Sequence, residues 1–187
     1  MKSSETIILI IVGYDNTWED HWQRRMATKL ATAKLVTPAD HLYGSLAQAL
    51  RNIVEHVKAS DKPCVFVAHS TGCTIVAHAI KPLRDAGVLD RVKGAFLVAP
   101  TSPQQLVKLP GLDPLIPKVP RDPLPFPSVV IASSNDEYVT MDEAADIANA
   151  WGAQFVEAGA QGHISTSSGH GPWPEGMMKF ASWLSKL

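Results

Sequence analysis

Hydrophobic positions along this chain follow two rhythms. Short apolar runs recur at Thr6 to Val12, Ala33 to Val36, Cys64 to His69, Val92 to Ala99, Ser128 to Ala132 and Gln154 to Glu157, each of strand length. The first is continuous and rich in β-branched residues, as in a strand buried on both faces. Between the runs the period lengthens to that of a helix. After a loop from Gly13, Thr17 reads as an N-cap, and Trp18, Trp22, Met26 and Leu30 recur every four residues on one face. Ser45 to Ala59 carries a stripe of Leu46, Leu50, Ile53, Val54 and Val57 with Arg51, Glu55 and Lys58 outside it. A helix opens at Thr71 and is expected to stop near Ile80, before Pro82. Thr140 to Trp151 opens on a Thr140–Glu143 capping box. A last helix begins at Pro174, with Met177, Phe180, Ala181 and Leu184 inward.

Strands alternating with helices predict an α/β fold with a parallel sheet, right-handed crossovers and helices on both faces, a three-layer sandwich. Residues 100–127 break the rhythm. Nine of the chain's 14 prolines fall there, which forbids a long helix or a central strand. Leu106, Leu109, Leu112, Leu115, Ile116 and Phe126 are interleaved with them, so this stretch is expected to be an ordered cover over part of the molecule.

Composition narrows the function. At 187 residues and 45% hydrophobic, the chain can bury one full core and is expected to form a single domain, 1–187. A formal net charge of -1, with Lys and Arg scattered, gives no footprint for nucleic acid or an anionic membrane. The apolar run Ile7 to Val12 is too short to span a bilayer and lacks a cleavage site, so it is read as a strand rather than a signal peptide. Cys64 and Cys73 read as buried small hydrophobes rather than a disulfide, which suits a reducing cytoplasm. No metal-type Cys/His spacing occurs.

The chemistry is expected at the carboxyl ends of the strands. His69-Ser70-Thr71-Gly72 turns directly from the third strand into a helix. This is a nucleophile elbow, which needs small residues two places before and after the serine. Gly72 meets the second need; Ala68 stands where the motif has glycine. A serine hydroxyl needs a base, and the base needs an acceptor to fix its tautomer. In α/β-hydrolases the chain order is serine, acid, histidine. Asp136, in Ser133-Ser134-Asn135-Asp136, follows the fifth strand, and His163, in Gly159-Ala160-Gln161-Gly162-His163, follows the sixth. Asp113, Asp122, Asp142 and Asp146 are rivals for the acid. His170 is a supporting candidate near His163. His69 is expected to pack beside the elbow, and His21, His41, His56 and His78 to be surface or packing residues. The oxyanion would be held by the N–H groups of Thr71 and of Tyr14, in the loop after the first strand.

These residues resemble the small serine hydrolases related to retinoblastoma-binding protein 9. The likeness is carried by Gly13 with Asp20-His21-Trp22-Gln23, the elbow His69 to Gly72, Ser134-Asn135-Asp136 and Gly162-His163-Ile164. Its most specific part is Ser168-Gly169-His170-Gly171-Pro172-Trp173-Pro174-Glu175-Gly176. The resemblance implies a compact α/β-hydrolase with a six-stranded parallel sheet and a triad of Ser70, Asp136 and His163. The Leu-x-Cys-x-Glu motif for retinoblastoma-protein binding is absent at both cysteines, so that partner is not carried over. The expected function is cleavage of a small carboxylic ester, or an amide, through an acyl-enzyme on Ser70, without metal or organic cofactor. The alternatives are a catalytically weak protein-binding module on the same scaffold, and an acyltransferase using the same triad.

Overall fold

A computed structural model describes residues 1–14, 20–36 and 43–187. Six strands form one parallel sheet: β1 Ile7–Ile11, β2 Ala33–Val36, β3 Cys64–His69, β4 Val92–Val98, β5 Ser128–Ala132 and β6 Gln154–Glu157. Their spatial order is β2-β1-β3-β4-β5-β6, and every neighbouring pair is parallel. The helices are α1 Trp22–Lys29, α2 Leu46–Lys58, α3 Thr71–Asp85, α4 Pro103–Leu106, α5 Met141–Ala150 and α6 Pro174–Leu184.

Alternation along each strand sorts the side chains into two cores. Leu9, Ile11, Phe66, Ala68, Leu97 and Val130 point to one face, where Ile53, Val57, Ile75, Leu83 and Ile147 of α2, α3 and α5 meet them. Ile8, Ile10, Val65, Val67, Phe96 and Ile131 point to the other, against Trp22 and Met26 of α1 and Phe180 and Leu184 of α6. The result is the three-layer α/β sandwich expected from the pattern.

The proline-rich stretch packs on the first of these faces. Leu106 and Ile116 are fully buried there, Phe126 is nearly so, and Leu115 stays exposed. Asp113 ties this segment down: its carboxylate accepts the N–H of Leu46, at the start of α2, at 2.8 Å and that of Leu115 at 2.9 Å. Tyr43 lies alongside, fully buried, and its hydroxyl donates to the Val12 carbonyl at 2.6 Å.

Three local expectations need correction. The helix after the first strand begins at Trp22, where the His21 Nδ1 accepts the Gln23 N–H and serves as the cap. Thr17 and Trp18 lie outside the described residues. The helix after Ser70 runs through Pro82 to Asp85. Proline deletes one hydrogen bond, but Leu83 is fully buried in the core and the Pro82 carbonyl accepts from Ala86, so packing carries the last turn. On α6 Ala181 is exposed rather than inward; Trp183 instead packs on Phe96 and Phe180, with ring centroids 5.7 and 6.0 Å apart.

The junction of α3 with β1 matters most for the site. A Cβ on Gly72 would lie 2.5 Å from the Ile11 carbonyl oxygen and 2.6 Å from that of Val12, and backbone cannot yield cheaply. Gly72→Ala is expected to cost about 1–3 kcal/mol through overpacking and to displace the corner that carries Ser70. Chemical denaturation of the variant checks this; an unchanged midpoint would show that α3 shifts freely.

Candidate active site

Ser70 caps α3 at the carboxyl end of the third, central strand, with φ 55° and ψ -128°. A positive φ is strained for a residue with a Cβ. Here it is held by the Ser70 N–H donating to the Val98 carbonyl at 3.0 Å and the Ser70 carbonyl accepting from Cys73 at 3.0 Å. The strain turns the hydroxyl away from the strand axis toward the loops.

Those loops bring the other two residues to it. His163 Nε2 is 2.9 Å from Ser70 Oγ, and His163 Nδ1 is 2.9 Å from each carboxylate oxygen of Asp136. The His163 side chain is 9% exposed and that of Asp136 is 0% exposed. A carboxylate against Nδ1 demands the Nδ1–H tautomer, which leaves Nε2 as an acceptor for the serine hydroxyl. The Oδ1 atom of Asp136 also accepts the Tyr138 N–H at 2.9 Å.

The loops after β5 and β6 are interlocked. Ser133 Oγ accepts the Gln161 N–H at 2.9 Å and donates to Asn135 Oδ1 at 2.9 Å. The Gly162 N–H also donates to Asn135 Oδ1, at 2.6 Å, and Ser134 N–H donates to the Gly159 carbonyl at 2.9 Å. The bonds from Gln161, Gly162 and Ser134 fix the loop of the acid against that of the histidine, and the Ser133–Asn135 bond braces the former internally. Gly162 has φ 58°, and a Cβ there would sit 2.6 Å from that of Ser168, so both conformation and space demand glycine. On its far side, His163 is held by a His69 Nε2 hydrogen bond to its carbonyl at 2.8 Å, and by the Trp22 indole N–H donating to the Ile164 carbonyl at 3.0 Å.

Thr101, just past the end of β4, is a residue that the sequence reading missed. Its Oγ1 lies 2.9 Å from Ser70 Oγ and is buried. Because the serine hydroxyl donates to Nε2, the threonine hydroxyl is the donor to Ser70. Tyr138, also unremarked in the sequence, sets its ring against that of His163, with centroids 4.5 Å apart and planes inclined at 51°. The strand-end rule could have pointed to Thr101, since it follows Val98 as closely as Asp136 follows Ala132.

The rivals are held elsewhere. Asp113 caps α2 as described, Asp146 pairs with Arg121 at 2.8 and 2.9 Å, and Asp122 and Asp142 are exposed. His170 contacts Gln161 Oε1 at 2.8 Å and does not line the Ser70 cavity. His56 and His78 contact the carbonyls of Asn52 and Ile116; His41 lies outside the described residues. Gly13 presses against the elbow, since a Cβ there would come within 2.9 Å of the Ser70 Cβ. Tyr14, next in the chain, lines the cavity and donates its hydroxyl to the Pro110 carbonyl at 2.6 Å. Thr71 is the first residue of α3 and is buried. Both segments assigned to the oxyanion therefore flank Ser70.

Three imidazoles stand in a row, His21, His69 and His163, with successive centroids 4.9 Å apart. Burial is the main cause that lowers His69 well below its ordinary value, with His163 and His21 adding to it and the bond to the His163 carbonyl opposing. His21 is lowered to about 3, again by burial first, then by His163, Arg24 and His170. Their folded-state affinities lie below the unfolded value near 6.5, so acid favours the unfolded chain. Stability is full above about pH 6.5 and falls as pH drops, by about 1.4 kcal/mol per pH unit for each proton taken up only on unfolding. Urea denaturation at pH 7.5 and 5.5 is expected to show a loss of about 3 kcal/mol for the two imidazoles together. A midpoint that does not move would mean that neither imidazole is held neutral.

Among the described residues, no three His, Cys, Asp or Glu side chains converge as metal ligands, and no helix is long and apolar enough to cross a membrane. Cys64 and Cys73 are free and buried.

Residues 8–182 match a family model described as serine hydrolase. No curated protein matches the sequence. Among solved structures, the chain is similar to a YdeN-like hydrolase of Pectobacterium atrosepticum, with a TM-score of 0.81 and 22% identity, covering 97% of this chain and 91% of that one. It is also similar to the ydeN gene product of Bacillus subtilis, with a TM-score of 0.71 and 19% identity, over 97% and 99% of the two chains. A hydrolase of the α/β superfamily from Xanthomonas campestris superposes with a TM-score of 0.65 at 18% identity, over 98% and 99%. At such identities the likeness is one of fold, that of the α/β hydrolases.

Proposed function

The chain belongs to the serine hydrolase family, and we propose that it cleaves a small carboxylic ester, or an amide, through an acyl-enzyme on Ser70. One observation carries this reading: the unbroken run from Ser70 Oγ through His163 to the buried Asp136, each link 2.9 Å. As Ser70 attacks the carbonyl carbon, its proton passes to His163 Nε2, and Asp136 stabilises the imidazolium. The N–H groups of Thr71 and Tyr14 receive the oxyanion. His163 then returns the proton to the leaving oxygen or nitrogen, and water repeats the sequence on the acyl-enzyme. Thr101, donating to Ser70 Oγ, keeps the hydroxyl directed at the imidazole.

The size of the substrate follows from the space beside Ser70. The cavity there is about 230 Å³, below the roughly 300–1,000 Å³ usual for drug-sized ligands. Tyr14, Leu109 and Tyr138 close around it, which favours a short acyl group. A binding scaffold without turnover would have no use for a serine strained at φ 55° and aimed at a buried imidazole.

The deciding experiment is treatment of the purified protein with a fluorophosphonate, the adduct being located by mass spectrometry. The adduct is expected on Ser70, and strongly reduced in His163→Ala. A folded protein that takes no label would overturn the reading, and a label on another residue would move the nucleophile.

A further inference from the structure

A second cavity, of about 430 Å³, opens between α1 and α6, on the face of the sheet away from α2, α3 and α5. It is nearly twice the volume beside Ser70 and lies within the range of specific ligand sites. Trp22, Met26, Trp173, Met177 and Phe180 supply its apolar wall. The Trp-Pro-Glu-Gly sequence finds its use here. A Cβ on Gly176 would overlap the Trp173 ring at 2.0 Å, so glycine lets the indole lie on the first turn of α6. There it meets Trp22, with centroids 5.1 Å apart. The two rings pack side by side and are almost fully buried, 2% and 4% exposed, so they form the floor beneath the opening.

The charged groups at this cavity have one sign. Arg25 and Lys29, one turn apart on α1, line it, and no aspartate or glutamate does. Arg25 uses two of its nitrogens on Asp20. Lys29 is exposed, and among the described residues it makes no ion pair. An apolar slot with a cationic rim suits a ligand that is apolar along its length and anionic at one end.

We propose that this cavity binds a medium-chain carboxylate of about eight to twelve carbons, a chain length suited to a pocket of this size. The chain lies between Leu30 of α1 and Met177 and Ala181 of α6, above the buried indoles, and the carboxylate lies at Lys29. A neutral amphiphile gains only the apolar contact, and a cationic one meets the like charge of Lys29, that of Arg25 being offset by Asp20. The site is separate from Ser70, and its occupancy does not depend on the chemistry proposed there. Two tryptophans in the wall give the ligand an optical readout as well.

Isothermal titration calorimetry of the whole chain with decanoate, below its micelle concentration, tests this alongside decyltrimethylammonium and butyrate. Decanoate is expected to bind saturably, one molecule per chain, with a shift in tryptophan emission. The ammonium amphiphile, of the same chain length, and butyrate are expected to bind at least about tenfold more weakly. Ala181→Phe fills the cavity from an exposed wall position and is expected to abolish binding without altering thermal denaturation. Lys29→Glu is expected to weaken binding about fivefold. No saturable heat, equal binding of the ammonium amphiphile, or full binding to Ala181→Phe would each overturn the proposal. The last would put the ligand elsewhere, the Ser70 cavity included.

Discussion

Ser70→Ala is expected to lower turnover of a short activated ester by about 10⁶-fold, and His163→Ala by about as much, because nucleophile and base act as one unit. The double variant should be no worse than either single one. This follows from the hydrogen bond between them: without Nε2 at 2.9 Å the serine keeps its proton, and without Oγ the imidazole has nothing to activate. Structure should survive in Ser70→Ala, since alanine is asked for the same positive φ, although the Thr101 hydroxyl loses its acceptor. A buried donor left without a partner costs about 1–3 kcal/mol, so a modest fall in melting temperature should accompany the loss of rate. Initial rates with a p-nitrophenyl ester and a thermal scan give both numbers. Wild-type turnover by Ser70→Ala would sink the acyl-enzyme reading. Equal loss by a variant shown to be unfolded would say nothing about the serine, which is why the scan belongs with the assay.

How far the sequence alone reached depends on what each residue type can signal. The strands at Ala33–Val36, Cys64–His69, Ser128–Ala132 and Gln154–Glu157 have the bounds expected from their apolar runs; the second and third lie inside the sheet, where burial on both faces tolerates little else, and the first and last are its edges, paired on one side only. The Thr140–Glu143 box is present on both its bonds, since capping chemistry is local. The start of α1 was hidden because its cap is a histidine, a residue outside the usual capping set. Its competence comes from burial, which keeps the ring neutral and Nδ1 able to accept. Pro82 misled for the opposite reason: a local rule was overruled by the core burial of Leu83. At the site, Ser70, Asp136 and His163 were legible because topology sends successive strand ends to one edge. Thr101 stood at a strand end too, but a hydroxyl after a proline has the chemistry of any turn residue, and its role shows only in the 2.9 Å contact with Ser70. The shape of the Ser70 cavity was equally out of reach, because Leu109 enters it from a stretch with no periodicity.

Asp136→Asn is the more discriminating substitution, because it changes one proton while leaving the packing nearly intact. In the native site Oδ1 accepts the Tyr138 N–H at 2.9 Å, and both oxygens face His163 Nδ1. An asparagine must choose. Its carbonyl oxygen stays with the Tyr138 N–H, because the amide nitrogen cannot accept from that donor. The NH₂ group is then left against His163 Nδ1. Two donors cannot face one another, so the imidazole moves its proton to Nε2, the nitrogen that should take the proton of Ser70. The serine loses its base while every heavy atom keeps its place. At neutral pH the expected fall in kcat is about 10⁴-fold, with KM for a small ester little changed, since the cavity walls are untouched. Asp136→Ala removes the orienting group without imposing the wrong tautomer, and should be the less damaging of the two in rate but the more damaging in stability. Kinetics and thermal scans on the pair test the order. If both variants lost rate equally, Asp136 would act only as a filler of space and charge; if neither lost rate, the acid would have to be sought elsewhere.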